Sequence, residues 1–200
     1  MRVVFGGSFD PVHLGHVAMA DAVQAAVAPR ELLWMPSGHA PHKPHRVPAS
    51  AAARLEFLHL VVDARPGESV STLETDRPGP SYSVDTLERL LADASEEGRL
   101  GFLLGADSLE HLATWRALPR LFSLTEWLFA PRPGWHEEQL TEFRDSLEPS
   151  LRASFRARLL PMVEVDVSSS AIRAALRDGR EPVGLPERVL RRIRELDCYV

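Results

Sequence analysis

Residues 2–35, RVVFGGSFDPVHLGHVAMADAVQAAVAPRELLWM, run through a strand, a glycine-rich corner, a helix and a second strand without a break. Arg2 to Phe5 is short and apolar and ends at Gly6-Gly7. From about His16 to Ala28 the apolar residues Val17, Ala20, Val23 and Val27 recur at three- and four-residue spacing, the period of a helix that Pro29 closes. Glu31 to Met35 is apolar again and stops at Pro36. That is the size of a right-handed βαβ unit, whose strands lie parallel in one sheet.

The same alternation continues down the chain. Ser37 to Ala49, SGHAPHKPHRVPA, is a proline- and histidine-rich loop. Ser50 is placed to cap a helix to Val62, Ser69–Glu74 reads as a strand, and Arg77–Pro80 as a turn. Ser83 is predicted to cap a helix from Val84 to about Ala94, ahead of a central strand at Leu100–Leu104. A helical stretch from about Ser108, a strand at Glu126–Ala130 and a helix from about Glu137 to Leu147 follow. Met162–Val167 reads as the last strand, with short helices from Ser169 and Pro186. Alternating strands and helices predict an α/β fold, a Rossmann-like doubly wound parallel sheet with helices on both faces. No repeat or linker divides the chain, so residues 1–200 read as one domain with a helical C-terminal segment from about 168 to 200.

Composition excludes several classes of protein. The 200 residues are 44% hydrophobic and 26% charged, too apolar for intrinsic disorder. The net charge of −5 argues against nucleic acid or an anionic membrane as a partner, and is compatible with a homo-oligomer. The single cysteine, Cys198, allows no internal disulfide and no four-cysteine zinc site. No apolar run is long enough to span a bilayer or serve as a signal peptide, so a cytoplasmic location is expected. Of the 23 basic residues, 22 are arginine and the other is Lys43.

Candidate chemistry concentrates at the first strand-to-helix corner, Gly6-Gly7-Ser8-Phe9-Asp10-Pro11-Val12-His13-Leu14-Gly15-His16. In an open α/β sheet, ligands bind outside the carboxyl ends of the strands, where this corner falls. The glycines permit a tight turn and close approach of a phosphate to backbone N–H groups, and the start of the helix favours an anion. His13 and His16 are three residues apart and share a helical face, and Gly15 leaves room for a flat group between them. There is neither a G-x-G-x-x-G fingerprint nor a Walker loop. His39, His42 and His45 recur every three residues, but a proline-punctuated loop fixes no common face, so no metal site is expected there. Arg188, Arg191, Arg192 and Arg194, interleaved with Glu187 and Glu195, read as a solvated helix face.

GGSFDPVHLGH resembles the signature of the (H/T)-x-G-H nucleotidyltransferase superfamily, and more narrowly of the bacterial nicotinate-nucleotide adenylyltransferases. The resemblance extends to Pro41-His42-Lys43, to Tyr82-Ser83-Val84-Asp85-Thr86-Leu87, to Gly105-Ala106-Asp107-Ser108 with Trp115, and to Ser168-Ser169-Ser170-Ala171-Ile172-Arg173. Ser170 stands where threonine is commoner. The resemblance implies transfer of the adenylyl group of ATP to nicotinate mononucleotide, with Mg²⁺ carried on the ATP phosphates and no protein metal ligands. It implies catalytic roles for His13, His16, Lys43 and Arg173, with His16 at the α-phosphate. Gly7, Ser8, Phe9, Gly15, Gly105, Asp107, Ser169 and Ser170 would join His13, His16 and Arg173 around ATP. Lys43, Tyr82, Ser83 and Trp115 would hold the nicotinate nucleotide; for Trp115 a place in the core is the competing reading. Another phosphorylated acceptor, nicotinamide mononucleotide or phosphopantetheine, is the rival within the superfamily. A non-catalytic nucleotide-binding module is the rival outside it.

Overall fold

The strands form where apolar side chains can point to both sides of the chain, because both faces of the sheet are covered. In the computed structural model, which describes residues 1–39, 49–93, 99–132, 134–163 and 165–199, the strands are Arg2–Gly7 (β1), Glu31–Pro36 (β2), Glu68–Val70 (β3), Leu100–Gly105 (β4), Thr125–Ala130 (β5) and Ala157–Leu159 (β6). All pair in parallel, in the order β3-β2-β1-β4-β5-β6. Among the described residues the helices are Leu14–Val27 (α1), Ala51–Val62 (α2), Ser83–Asp93 (α3), Leu109–Leu112 (α4), Leu118–Leu124 (α5), Glu137–Ser146 (α6), Pro149–Ser154 (α7), Ser169–Arg177 (α8) and Glu187–Glu195 (α9).

Alternate strand residues feed separate cores. Val3, Phe5, Leu32, Trp34, Leu103 and Leu128 pack with α1, α2, α8 and α9. Val4, Leu33, Met35, Phe102, Leu104 and Trp127 pack with α3, α4, α5 and α6. The doubly wound arrangement expected from the sequence is therefore present. Ser50 caps α2 as expected, its hydroxyl accepting the Ala53 amide at 3.2 Å. Among the described residues, no helix is long and apolar enough to cross a membrane.

Several boundaries differ from the sequence reading, each for a local reason. The last strand is Ala157–Leu159, not 162–167. Leu160 still donates to the Phe129 carbonyl, but Pro161 has no N–H to continue the ladder. Met162 and Val167 then pack on the core without strand pairing. The strand expected at 69–74 is shorter and earlier, because Ser71 makes its last bond to Trp34 and the chain turns through Thr72–Asp76. The helix expected from Ser108 is broken at residues 113–117, where Ala117 adopts a left-handed φ of 54°. Ser83 is the first residue of α3, one position inside the expected cap. Gly6 and Gly7 lie within β1, and the turn falls beyond them, at Phe9 with φ 47°. Packing demands those glycines: a Cβ at Gly6 would lie 2.8 Å from the Phe102 ring, and one at Gly7 2.8 Å from the Phe9 ring.

Candidate active site

The chain winds outward from β1 to β3, returns to β4, and winds the other way, so a crevice opens between the carboxyl ends of β1 and β4. A polar cavity of about 430 Å³ occupies it. Its walls include Gly6, Gly7, Ser8, Phe9, His13 and His16 from the first corner, Gly105 and Asp107 after β4, and Ser168 and Ser169 at α8. Segments far apart in the sequence thus converge where the motif suggested they would.

His13 is the N-cap of α1 and only 1% exposed; His16 is in the first turn and also buried. Their rings lie 3.8 Å apart, centroid to centroid, inclined by 31°. The His13 backbone N–H donates to His16 Nδ1 at 3.2 Å, so a neutral His16 carries its proton on Nε2, as a donor. Gly15 serves this pair. A Cβ there would stand 3.0 Å from both Cε1 and Nδ1 of His13, so the flat group accommodated beside Gly15 is the His13 ring.

Burial, and then the positive charge of Arg132, pull the His13 pKa from 6.5 down to about 4, so the ring is neutral at pH 7. Its Nδ1 is buried and hydrogen-bonds to nothing among the described residues, and the same is true of Arg132 Nε. Both residues line the polar cavity. Arg132 Nε comes no nearer than 3.8 Å to an Asp107 carboxylate oxygen. Buried polar atoms without partners are rare in folded proteins and mark a place where a ligand supplies them. Gly105 makes this crowding possible, since a Cβ on it would lie 2.4 Å from Asp107 Oδ1 and 3.1 Å from Arg132 Nε.

Arg173 is placed beside the first corner. It lines neither this cavity nor the one described below. Its guanidinium donates to the Asp10 carbonyl at 2.7 Å and to Ser170 Oγ at 3.1 Å, and stands 3.7 Å from the Asp10 carboxylate. Asp10 is fully buried, and its Oδ1 accepts from the Ala49 amide at 2.9 Å and from the Tyr199 hydroxyl at 2.7 Å. Ser169 Oγ donates to the Pro11 carbonyl, and Ser168, not Ser169 or Ser170, is the N-cap of α8. Arg173 and Ser169 therefore tie α8 to the corner through the Asp10 and Pro11 carbonyls. Arg54 of α2 does the same from another side. It is buried and donates to the carbonyls of Ser8 (2.9 Å), Ser37 (2.8 Å) and Ala49 (3.3 Å).

A second, mainly apolar cavity of about 230 Å³ opens on the other side of Gly6, Gly7 and Ser8. Tyr82, Ser83, Trp115 and Arg116 line it, so the structure brings together the first three, which the sequence reading grouped. Trp115 serves both readings of its role: its ring is 6.0 Å from that of Phe102 and 5.9 Å from that of Trp127, and it also borders the cavity. Gly6, Gly7, Ser8, Leu104 and Ser108 border both cavities, so the two share a wall.

Lys43, with His42 and His45, lies outside the described residues. His39 is exposed, its carbonyl accepting the Ser81 amide. Among the described residues no three His, Cys, Asp or Glu side chains converge as a metal site. In the basic run of α9, Arg192 pairs with Glu56 of α2 and with Glu195 rather than only facing solvent. Sequence reasoning missed Arg132, Trp135 and Arg116. Arg132 had a signal, since it follows the apolar strand β5 and so falls at another carboxyl end. Trp135 and Arg116 had none in spacing alone.

Comparison with known proteins agrees with this geometry. Residues 4–175 match the cytidylyltransferase-like family. A chain from Gloeobacter violaceus named "Probable nicotinate-nucleotide adenylyltransferase" is 36% identical over 98% of this chain and 94% of its own length. One of the same name from Thermomicrobium roseum is 35% identical over 88% of this chain and 80% of its own. The solved structure of Plasmodium falciparum nicotinic acid mononucleotide adenylyltransferase complexed with NaAD superposes with a TM-score of 0.75, covering 99% of this chain and 96% of that one at 15% identity, a likeness of fold. By a family match that spans both histidines and Arg173, and by identity sustained along nearly its whole length, this chain belongs to the cytidylyltransferase-like family and, within it, to the nicotinate-nucleotide adenylyltransferases.

Proposed function

We propose that the chain transfers the adenylyl group of ATP to the phosphate of nicotinate mononucleotide, forming nicotinate adenine dinucleotide and pyrophosphate. The observation that carries this reading is the pair of unpartnered buried atoms, His13 Nδ1 and Arg132 Nε, facing one polar cavity beside the start of α1. A triphosphate supplies what such a site lacks. The neighbouring apolar cavity suits a pyridine ring, with Trp115 and Tyr82 as flat partners. Because the cavities share Gly6, Gly7 and Ser8, the acceptor phosphate and the α-phosphorus would meet over one glycine floor.

The nucleophile is already an anionic phosphate oxygen. It attacks the α-phosphorus in line, a new P–O bond forms as the α–β bridging bond breaks, and pyrophosphate leaves. No strong base is needed, so positioning and charge stabilisation carry the catalysis. His16 would donate from Nε2 to an α-phosphate oxygen. A neutral His13 would contribute a dipole, and Arg132 the fixed positive charge. Gly7, Ser8 and Phe9 would act through their backbone, since the Phe9 ring is buried against Phe5 and Trp34. Arg173 and Ser170 would brace the corner, and Lys43 would supply a cation to the acceptor phosphate.

Nucleotidyltransferases of this kind need a divalent metal, and we assign Mg²⁺. The donor set fits a metal carried by phosphate oxygens and water, because Asp107 and Asp166 are the carboxylates among the described residues of the polar cavity and they form no cage. Such a metal would supply neutralisation of charge on the phosphate oxygens. A cytoplasmic location belongs to the same proposal.

The test is pyrophosphate release from ATP and Mg²⁺ with nicotinate mononucleotide, nicotinamide mononucleotide and phosphopantetheine in parallel. Turnover with the first should exceed the others. Inactivity with all three would overturn the enzymatic reading, and a preference for the amide or for phosphopantetheine would overturn the substrate.

A further inference from the structure

The apolar cavity carries a feature that ring stacking alone does not require. Trp115 and Arg116 are consecutive, yet both border it. The corner that allows this closes at Ala117, whose left-handed φ of 54° turns the chain into α5. Trp115 is thereby set against Phe102, while the Arg116 guanidinium carbon sits 4.6 Å from the centre of the Tyr82 ring. A guanidinium over an aromatic face is held there by cation–π attraction.

The other ionisable groups around this cavity are Glu74, His111 and the Tyr82 phenol. Glu74 is buried and accepts the Thr86 hydroxyl at 2.8 Å; its burial raises its pKa and so disfavours its negative charge. Arg116 is the one arginine among the described residues lining the cavity.

We infer that Arg116 is a specificity-determining residue, whose guanidinium, held over the Tyr82 ring, selects an acceptor bearing a carboxylate on its aromatic ring over one bearing a carboxamide. This rests on the function proposed above and deepens it. A carboxylate accepts two N–H bonds side by side from a guanidinium fork. A carboxamide offers one oxygen and turns an NH₂ group towards donors, leaving the arginine incompletely satisfied. Arg116 is exposed on its outer side, so solvent screening limits the discrimination it supplies.

The experiment compares kcat/KM for nicotinate and nicotinamide mononucleotides in the native chain, Arg116→Met and Arg116→Lys, with the KM for ATP and the melting temperature recorded for each. In Arg116→Met the preference for the carboxylate should fall by about tenfold or more, through the KM of the nicotinate substrate. Arg116→Lys should recover part of it, since it restores charge without the planar fork. An unchanged preference in Arg116→Met, or an equal loss with both acceptors, would overturn the inference. A native chain that uses neither acceptor would instead overturn the proposed function.

Discussion

His13 shows how a single side chain is shaped by its neighbours. It is buried beside Arg132, and both effects oppose its protonation. A histidine whose pKa is depressed from 6.5 to about 4 contributes stability that is present above 6.5 and lost as pH falls towards 4. That loss amounts to about 3 kcal/mol. In the unliganded protein the His13 ring resonances should titrate near pH 4; titration at pH 6–7 would show that the ring is more open to water than its 1% exposure implies. Gly15 offers a separate test. A methyl group there would press on the His13 ring from 3.0 Å. Gly15→Ala should therefore lower turnover at least about tenfold, by misplacing a group whose position is its function. Stability should change by no more than about 1 kcal/mol, because alanine suits a helix better than glycine. Unfolding curves beside steady-state rates would separate these outcomes. The sequence made the histidine pair legible, because H-x-G-H places both rings together. The neutral state of His13 was not legible, since it depends first on how deeply the fold buries the ring and then on Arg132, more than a hundred residues away.

At the scale of elements, the corner between β1 and α1 is held by segments from the other end of the chain. Asp10 receives a donor from Tyr199, beyond α9, and another from Ala49, ahead of α2. Burial and the Asp10 carboxylate raise the Tyr199 pKa, so its hydroxyl remains a donor throughout the neutral range. Tyr199→Phe removes one charge-assisted bond and should cost about 1.5–3 kcal/mol of stability. It should also raise the KM for ATP more than that for the acceptor, because the corner that Asp10 anchors carries His13 and His16, which line the polar cavity and not the apolar one. Equal changes in both KM values would reduce Tyr199 to a purely structural contact. Sequence periodicity identified α1, α2, β1, β2, β4 and β5, whose apolar residues alternate or repeat over enough positions to average out accidents. It failed at β6, where apolar residues 162–167 alternate like a strand but lie past Pro161, beyond the reach of the β5 ladder. Strand pairing depends on where the partner ends, and one segment's pattern does not carry that information.

Across the whole molecule, strand order does what no single motif can. The reversal between β1 and β4 brings GGSFDPVHLGH, GADS and the serine segment before α8 to one crevice. The net charge of −5 coexists there with Arg132 and Arg116, each facing a different cavity. The family resemblance anticipated this convergence, while composition served only to exclude other classes. The wall of Gly6, Gly7, Ser8, Leu104 and Ser108 common to both cavities has a practical consequence. A single inhibitor with one arm on each side of that wall loses its translational freedom once for both contacts. When its linker matches the span, tethering of this kind raises avidity by about 10²–10⁴ over either arm alone.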